Sequence, residues 1–426
     1  MKIAHQLLMI SLAAGALVAA APTPAMADTH TPVVVFPAFH FTTLEVEVEN
    51  QTAFPECPAS GTFEDWFQNP SPSALFSQVC RDKLMTLVVD PNKWMPMRWR
   101  FSEQQGVKVR VKHYGDTASA PYYEDLYTFL EDAGYERDVN IRVAGYDSRL
   151  TPDIGRFLER TIELIEETYW ANNHTPVHLV AHSNGPLYVQ YLLTHTSQAW
   201  KDQFIHGFTP LAGNWPGQGL FYPVYFTGLN IINFGFPTDP ANAASSARMY
   251  QSHPSSYMSS ADPDFFGDQV VVVALPGGKE YTPEDNLQLF QDAGLSVAKE
   301  LADYYTGFVK FEAPFFPNVD VYAEKGSGLE TIVGLSLPDL SVGQVAGGAG
   351  AFFTRNGDAN QEDITNDAVA AWEEMPCHRF ELTDNVGVDH FALARDAGVL
   401  QRLLTNLQRS RSHCSCSSTW PSFWLL

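Results

Sequence analysis

His178-Leu179-Val180-Ala181-His182-Ser183-Asn184-Gly185 is the stretch whose reading decides the fold. The apolar run Val177 to Ala181 reads as a buried strand, and Pro186 to Leu193 reads as a helix. Between them the chain turns through small-x-Ser-x-small. A strand that passes into a helix this sharply holds the serine in a strained backbone conformation. A bulky residue two positions before or after it would collide. Ala181 and Gly185 meet that need. The amino end of the helix favours negative charge beside the serine, and the backbone N–H of Asn184 is placed to bind an oxyanion. Ser183 is therefore the expected nucleophile, against the plainer reading of a structural serine at an ordinary turn. Neighbours in such a turn point apart, so His182 is expected to be structural rather than the base.

Working outward, Val33-Val34-Val35-Phe36-Pro37 is a short buried-strand run ending in a turn. The second oxyanion donor is expected from that turn, at the Phe39 N–H; the alternative is a loop that simply packs on the core. Val107 to Tyr114 alternates like a strand, Tyr123 to Ala133 reads as a helix, and Ile141 to Ala144 as a strand. Pro152 to Asn172 reads as an amphipathic helix with Ile154, Leu158, Ile162 and Ile165 on one face. Strands alternating with helices at this spacing predict a mostly parallel sheet covered on both faces, the α/β-hydrolase class. The pattern breaks over 216–268, dense in Gly, Pro, Phe and Tyr, which is expected to be an inserted cap. Beyond it, Val270 to Leu275 reads as a strand, Pro283 to Tyr305 as a helix, Val319 to Ala323 as a strand and Val399 to Leu407 as a helix. Residues 28–215 and 269–408 thus form the two parts of a core domain. The tail 409–426 has no clear reading.

The chain has 426 residues, enough for one large α/β domain with insertions. Residues 1–27 read as a secretory signal: Lys2, an apolar run from Leu7 to Ala21, and the small-x-small triplet Ala25-Met26-Ala27. The expected compartment is extracytoplasmic, secreted or lysosome-like. A net charge of −23, from 26 basic and 49 acidic residues, argues against nucleic acid and against charge-driven adsorption to anionic membranes. Contact with a lipid surface would rest on apolar burial. Among 5 cysteines, Cys57 and Cys80 are the natural pair, while the pairing of Cys377, Cys414 and Cys416 stays open. Asn50-Gln51-Thr52 and Asn173-His174-Thr175 are glycosylation sequons.

Together these segments resemble the lecithin:cholesterol acyltransferase family, which includes the lysosomal phospholipases A. The resemblance runs from about Val33 to Leu404. It is carried by Val35-Phe36-Pro37 with Leu44-Glu45, by Gly134-Tyr135, and by Gly145-Tyr146-Asp147-Ser148-Arg149. Gln198-Ala199-Trp200-Lys201-Asp202, Leu211 to Gly217, and Gly326-Ser327-Gly328 add to it. The family places its acid in a Gly-Asp turn before a tryptophan. Gly357-Asp358 with Trp372 match, so the resemblance implies Asp358 as the acid, with Asp363 as its rival. It likewise implies His390, after Asp389, as the base. Ser148 stands where the family has tryptophan, and no cysteine pair matches its second bridge. Asp147 and Arg149 are expected to be a buried structural pair.

The implied chemistry is acyl transfer through an acyl-serine: Ser183 attacks a phospholipid ester, His390 takes the proton and Asp358 orients the imidazole. Water or a lipophilic alcohol such as a sterol then accepts the chain, with no cofactor. The rivals are a plain lipase or carboxylesterase and a non-catalytic lipid-binding fold. Asp358, Asn360 and Glu362 share the odd spacing of a calcium loop but lack its glycine and closing glutamate, so no metal is expected. The 57–80 loop, with Phe63, Trp66 and Phe67, has two readings. One is a hydrophobic satellite pinned by a disulfide. The other, implied by the resemblance, is a lid that shows apolar side chains to a lipid surface.

Overall fold

Short valine-rich runs build the central sheet. The strands are β1 (Val33–Phe36), β2 (Ile141–Val143), β3 (Val177–His182), β4 (Ile205–Leu211), β5 (Val321–Ser327) and β6 (Phe380–Val386). They lie in the order β6-β5-β4-β3-β1-β2, and every pairing is parallel. All residues of β1 and β3 are buried, as expected of strands covered on both faces. The helices that cover them include α1 (Glu124–Asp132), α2 (Phe157–Ala171), α3 (Gly185–Thr194) and α4 (Ala397–Leu407). This computed structural model describes residues 30–65, 75–231, 237, 239–345 and 350–412. Residues 1–27, expected to be a leader, and Trp66, Phe67, Cys414 and Cys416 lie outside the described residues. Among the described residues no helix is long and apolar enough to cross a membrane.

Strand order matters for function. From β1 the chain steps one way to β2, and from β3 it steps the other way to β6. The reversal lies between β1 and β3, and a crevice opens outside the carboxyl ends of strands at such a switch point. Phe36 ends β1 and His182 ends β3, so the turn that carries Phe39 and Ser183 both emerge there.

Two further sheets depart from the expected layout. Val107–Val111 is a strand, but it pairs with Leu44–Val48, which also pairs with Gly61–Asp65 in a separate antiparallel sheet. The strand after the cap segment is Val273–Leu275; it joins Lys279–Tyr281, Leu329–Ser336 and Phe352–Gly357 in a four-stranded sheet, outside the central one. Two helices are shorter than their periodicity suggests. Gly155, at φ 70°, keeps Ile154 out of α2, whose buried positions are Thr161, Leu164, Ile165 and Thr168. Gly294, at φ 72°, splits 283–305 into Asn286–Asp292 and Ser296–Tyr305. Within 216–268 lie Phe221–Thr227, buried throughout, then Pro240–Ser252, Pro254–Met258 and Pro263–Phe266.

Cys57 and Cys80 are disulfide-bonded, with Cα atoms 5.5 Å apart. Phe63 does not face outward as a lipid-contacting lid residue would. It sits on strand Gly61–Asp65 opposite Val46, and its ring centroid is 5.0 Å from that of Phe76. The two-residue period of the strand turns Thr62 to solvent and Phe63 into the core. Leu75, nearby, is an exposed apolar side chain.

Candidate active site

Ser183 sits at φ 62°, in the left-handed region that costs an ordinary residue about 1–3 kcal/mol. The strain is held from both sides: its N–H donates to the Leu211 carbonyl (2.8 Å), and its carbonyl accepts from the Asn214 N–H (3.0 Å). A Cβ at position 185 would lie 2.5 Å from the Phe36 carbonyl oxygen, so glycine there lets α3 start against the end of β1.

Asp358 follows strand Phe352–Gly357, and Ala359 at φ 73° turns the chain behind it. Its carboxylate is fully buried and fully used. Oδ1 accepts the N–H groups of Asn360 (3.0 Å) and Gln361 (2.6 Å), while Oδ2 lies 2.9 Å from His390 Nδ1. A second bond, from the His390 N–H to the Asp358 carbonyl at 2.8 Å, locks the two turns together. A carboxylate oxygen only accepts, so Nδ1 carries the proton and Nε2 presents its lone pair. That Nε2 is buried with no partner among the described residues. Asp363, the rival acid, contacts Asn356 instead.

Ser183 and His390 line one cavity with Phe39, Phe41, Phe221, Ile231 and Phe391. Its volume is about 20 Å³, room for a single water. Asn184 and Phe39 also line it, and among the described residues neither backbone N–H donates to an acceptor. Two unused donors beside a serine hydroxyl are what a developing oxyanion would require. Among the described residues no group of three or more His, Cys, Asp or Glu side chains is arranged to hold a metal ion.

His182 ties the parts together. Its Nε2 lies 2.9 Å from the His390 carbonyl oxygen and its Nδ1 lies 3.1 Å from the Tyr123 hydroxyl. That hydroxyl in turn accepts the Ala38 N–H at 2.9 Å. The carbonyl fixes every proton: Nε2 donates, Nδ1 accepts, and Tyr123 O–H donates to it. Burial, and then the neighbouring His390, push the His182 pKa down to about 3, so the ring is neutral. Sequence reading placed His182 as structural but gave no sign of Tyr123, whose partners are remote in the chain. Arg149, fully buried, is paired with Asp147 (2.7 Å) and Glu103 (2.6 Å), away from the cavity.

Residues 66–258 match the family model described as lecithin:cholesterol acyltransferase. Over that stretch the chain is similar to this family. The lysosomal phospholipase A and acyltransferase of Bos taurus is 32% identical over 244 residues, covering 53% of this chain and 56% of the relative. The protein of that name from Mus musculus is 28% identical over 313 residues, covering 70% and 72%. The phosphatidylcholine-sterol acyltransferase of Mus musculus is 38% identical over 129 residues, covering 28% and 29%. The match thus spans little more than half the length of the bovine relative. A chain in the crystal structure of the Tle4–Tli4 complex aligns over 89% of this chain and 99% of its own length, at a TM-score of 0.51 and 12% identity. That likeness concerns the fold alone, which is α/β. The acyltransferase-family model includes Ser183 but ends before Asp358 and His390, so the acid and base rest on their geometry.

Proposed function

We propose that the protein is a serine acyl hydrolase and O-acyltransferase that takes a fatty acyl chain from a phospholipid ester. The observation that carries this is the base: His390 is held by buried Asp358, with Nε2 unpartnered, in the cavity that Ser183 also lines. In this reading His390 Nε2 takes the Ser183 proton as Oγ attacks the ester carbonyl. The N–H groups of Phe39 and Asn184 hold the oxyanion, and His390 then protonates the leaving alcohol. Water or a second alcohol attacks the acyl-serine by the same steps in reverse order. The kinship with phospholipase A and acyltransferase proteins supports the lipid ester and the two acceptors.

The same reading makes 28–215 and 269–408 the catalytic body, 216–268 its cap and the disulfide-closed 57–80 loop a lid. It places the protein outside the cytosol after loss of residues 1–27. The test uses the purified chain, a fluorophosphonate probe and phosphatidylcholine vesicles, with products read by mass spectrometry. Labelling and release of fatty acid or acyl-alcohol are expected for the native protein and absent in Ser183→Ala. Turnover surviving in Ser183→Ala would end the proposal.

A further inference from the structure

Beside its aromatic side chains the cavity is lined by amides: Asn184, Asn214, Gln218 and Asn360, with Ser259. Their orientation follows from the carbonyls they touch. Asn360 Nδ2 donates to the Ile231 carbonyl (2.8 Å), which leaves its Oδ1 as an acceptor for Gln218 Nε2 at 3.5 Å. Gln218 must then present Oε1. Asn214 Nδ2 donates to the Ser259 carbonyl (3.3 Å), so Asn214 presents Oδ1. Both oxygens are buried and have no partner among the described residues. Ser259 Oγ lies 2.8 Å from both Asn184 Oδ1 and the Ser255 carbonyl, which share its one proton, and Asn184 Nδ2 has no partner among the described residues.

Leaving such groups unpaired is costly, and a ligand that supplies the missing donors recovers that cost. Phosphates and carboxylates offer only acceptors and do not fit two bare oxygens. A sterol offers one hydroxyl on a rigid apolar body. A polyol offers several donors on adjacent carbons. Resting on the acyl-transfer reading above, we propose that Asn214 and Gln218 form a subsite for the alcohol partner of the reaction. We further infer that this alcohol is a glycerol-like diol with at least two free hydroxyls. One hydroxyl attacks the acyl-serine carbonyl and passes its proton to His390 Nε2. As the new ester C–O bond forms, the bond to Ser183 Oγ breaks and His390 returns the proton to Oγ. The other hydroxyl donates to Gln218 or Asn214.

The test offers p-nitrophenyl butyrate as acyl donor with equal, high concentrations of 1,2-propanediol or 1-propanol, and measures butyryl-alcohol against butyrate. The native protein is expected to favour the diol about tenfold, and Gln218→Leu, Asn214→Leu and the isosteric Gln218→Met to lose that preference. Equal use of both alcohols by the native protein, or an unchanged preference in folded variants, would overturn the subsite. Nitrophenol release reports the acyl-serine step separately. Should that step fail, saturation-transfer NMR on Ser183→Ala with the same two alcohols still decides. Stronger transfer to the diol, lost with Gln218→Met, supports the subsite; equal transfer refutes it.

Discussion

His182 Nε2 donates to the backbone carbonyl of His390 at 2.9 Å, so the ring beside Ser183 holds the His390 loop and is not free to take a proton from the serine. Through Tyr123 the same ring reaches the Ala38 N–H, in the turn that carries Phe39. His182→Phe is expected to lower kcat about tenfold or more while KM for a soluble ester stays within about twofold. Tyr123→Phe should act in the same direction, more weakly. Steady-state kinetics on p-nitrophenyl butyrate check this. A change confined to melting temperature would reduce both residues to packing.

Asp358→Asn tests the acid more sharply than alanine would. The N–H groups of Asn360 and Gln361 hold Oδ1, so the new amide must turn its NH₂ toward His390 Nδ1. Two donors then face each other, and the imidazole is driven to the tautomer protonated on Nε2. Loss of kcat on the order of a thousandfold or more is expected, with the fold retained by circular dichroism. Asp363→Asn, distant from His390 in the hydrogen-bond network, should leave kcat within about threefold.

Glu362 makes stability depend on pH. Its carboxyl is buried, and among the described residues neither oxygen has a well-formed hydrogen bond; Arg355, at 3.7 Å, and the Gly219 N–H favour the charged form too weakly to offset burial. Burial raises its pKa from 4.5 to about 7. The folded state therefore binds the proton more tightly than the unfolded state. The stabilisation is full below about pH 4.5, falls as pH rises, and is gone above pH 7. Asp82, raised by burial to about 6 despite hydrogen bonds from Ser246 and Ser245, adds a contribution of the same sign. Denaturant titrations should show the protein about 3 kcal/mol more stable at pH 4.5 than at pH 8 from Glu362 alone. Glu362→Gln should flatten that slope; an unchanged slope would contradict the assignment.

Phe63→Ala separates the two readings of the disulfide-closed loop. With Phe63 in the core against Phe76, the substitution should cost about 3 kcal/mol or more, read from denaturant midpoints. A lipid-contacting role predicts weaker vesicle flotation at unchanged stability.

The strand–turn–helix at Ser183 was legible because its constraints are local: an apolar strand, small residues at 181 and 185, and a helix directly after. Although Ile205–Leu211 was not read as a strand, the other central parallel strands carried a similar signal, being largely buried. β6 did not. Its residues alternate between half-buried and exposed at the sheet edge, so Phe380–Val386 shows no apolar run. The side sheets hid for another reason. Leu329–Ser336 pairs with Phe352–Gly357 across an intervening loop, and neither strand announces its partner. Asp358 and His390 came from motif resemblance and chain order rather than from periodicity. The amide lining was invisible because Asn214 and Gln218 lie in irregular chain, where nothing in the local pattern separates a buried amide from a solvated one.

At about 20 Å³ the cavity beside Ser183 has room for one water and none for an acyl chain. In the proposed reaction the side chains around it, Phe39, Phe221, Ile231 and Phe391 among them, would have to part to admit an acyl chain. A long hydrocarbon tail can compensate for that parting with the apolar area it buries, whereas a small polar ester has little to offer in return. Chain length would thus be sensed by the work of entry, before any atom of the substrate meets the reacting oxygen.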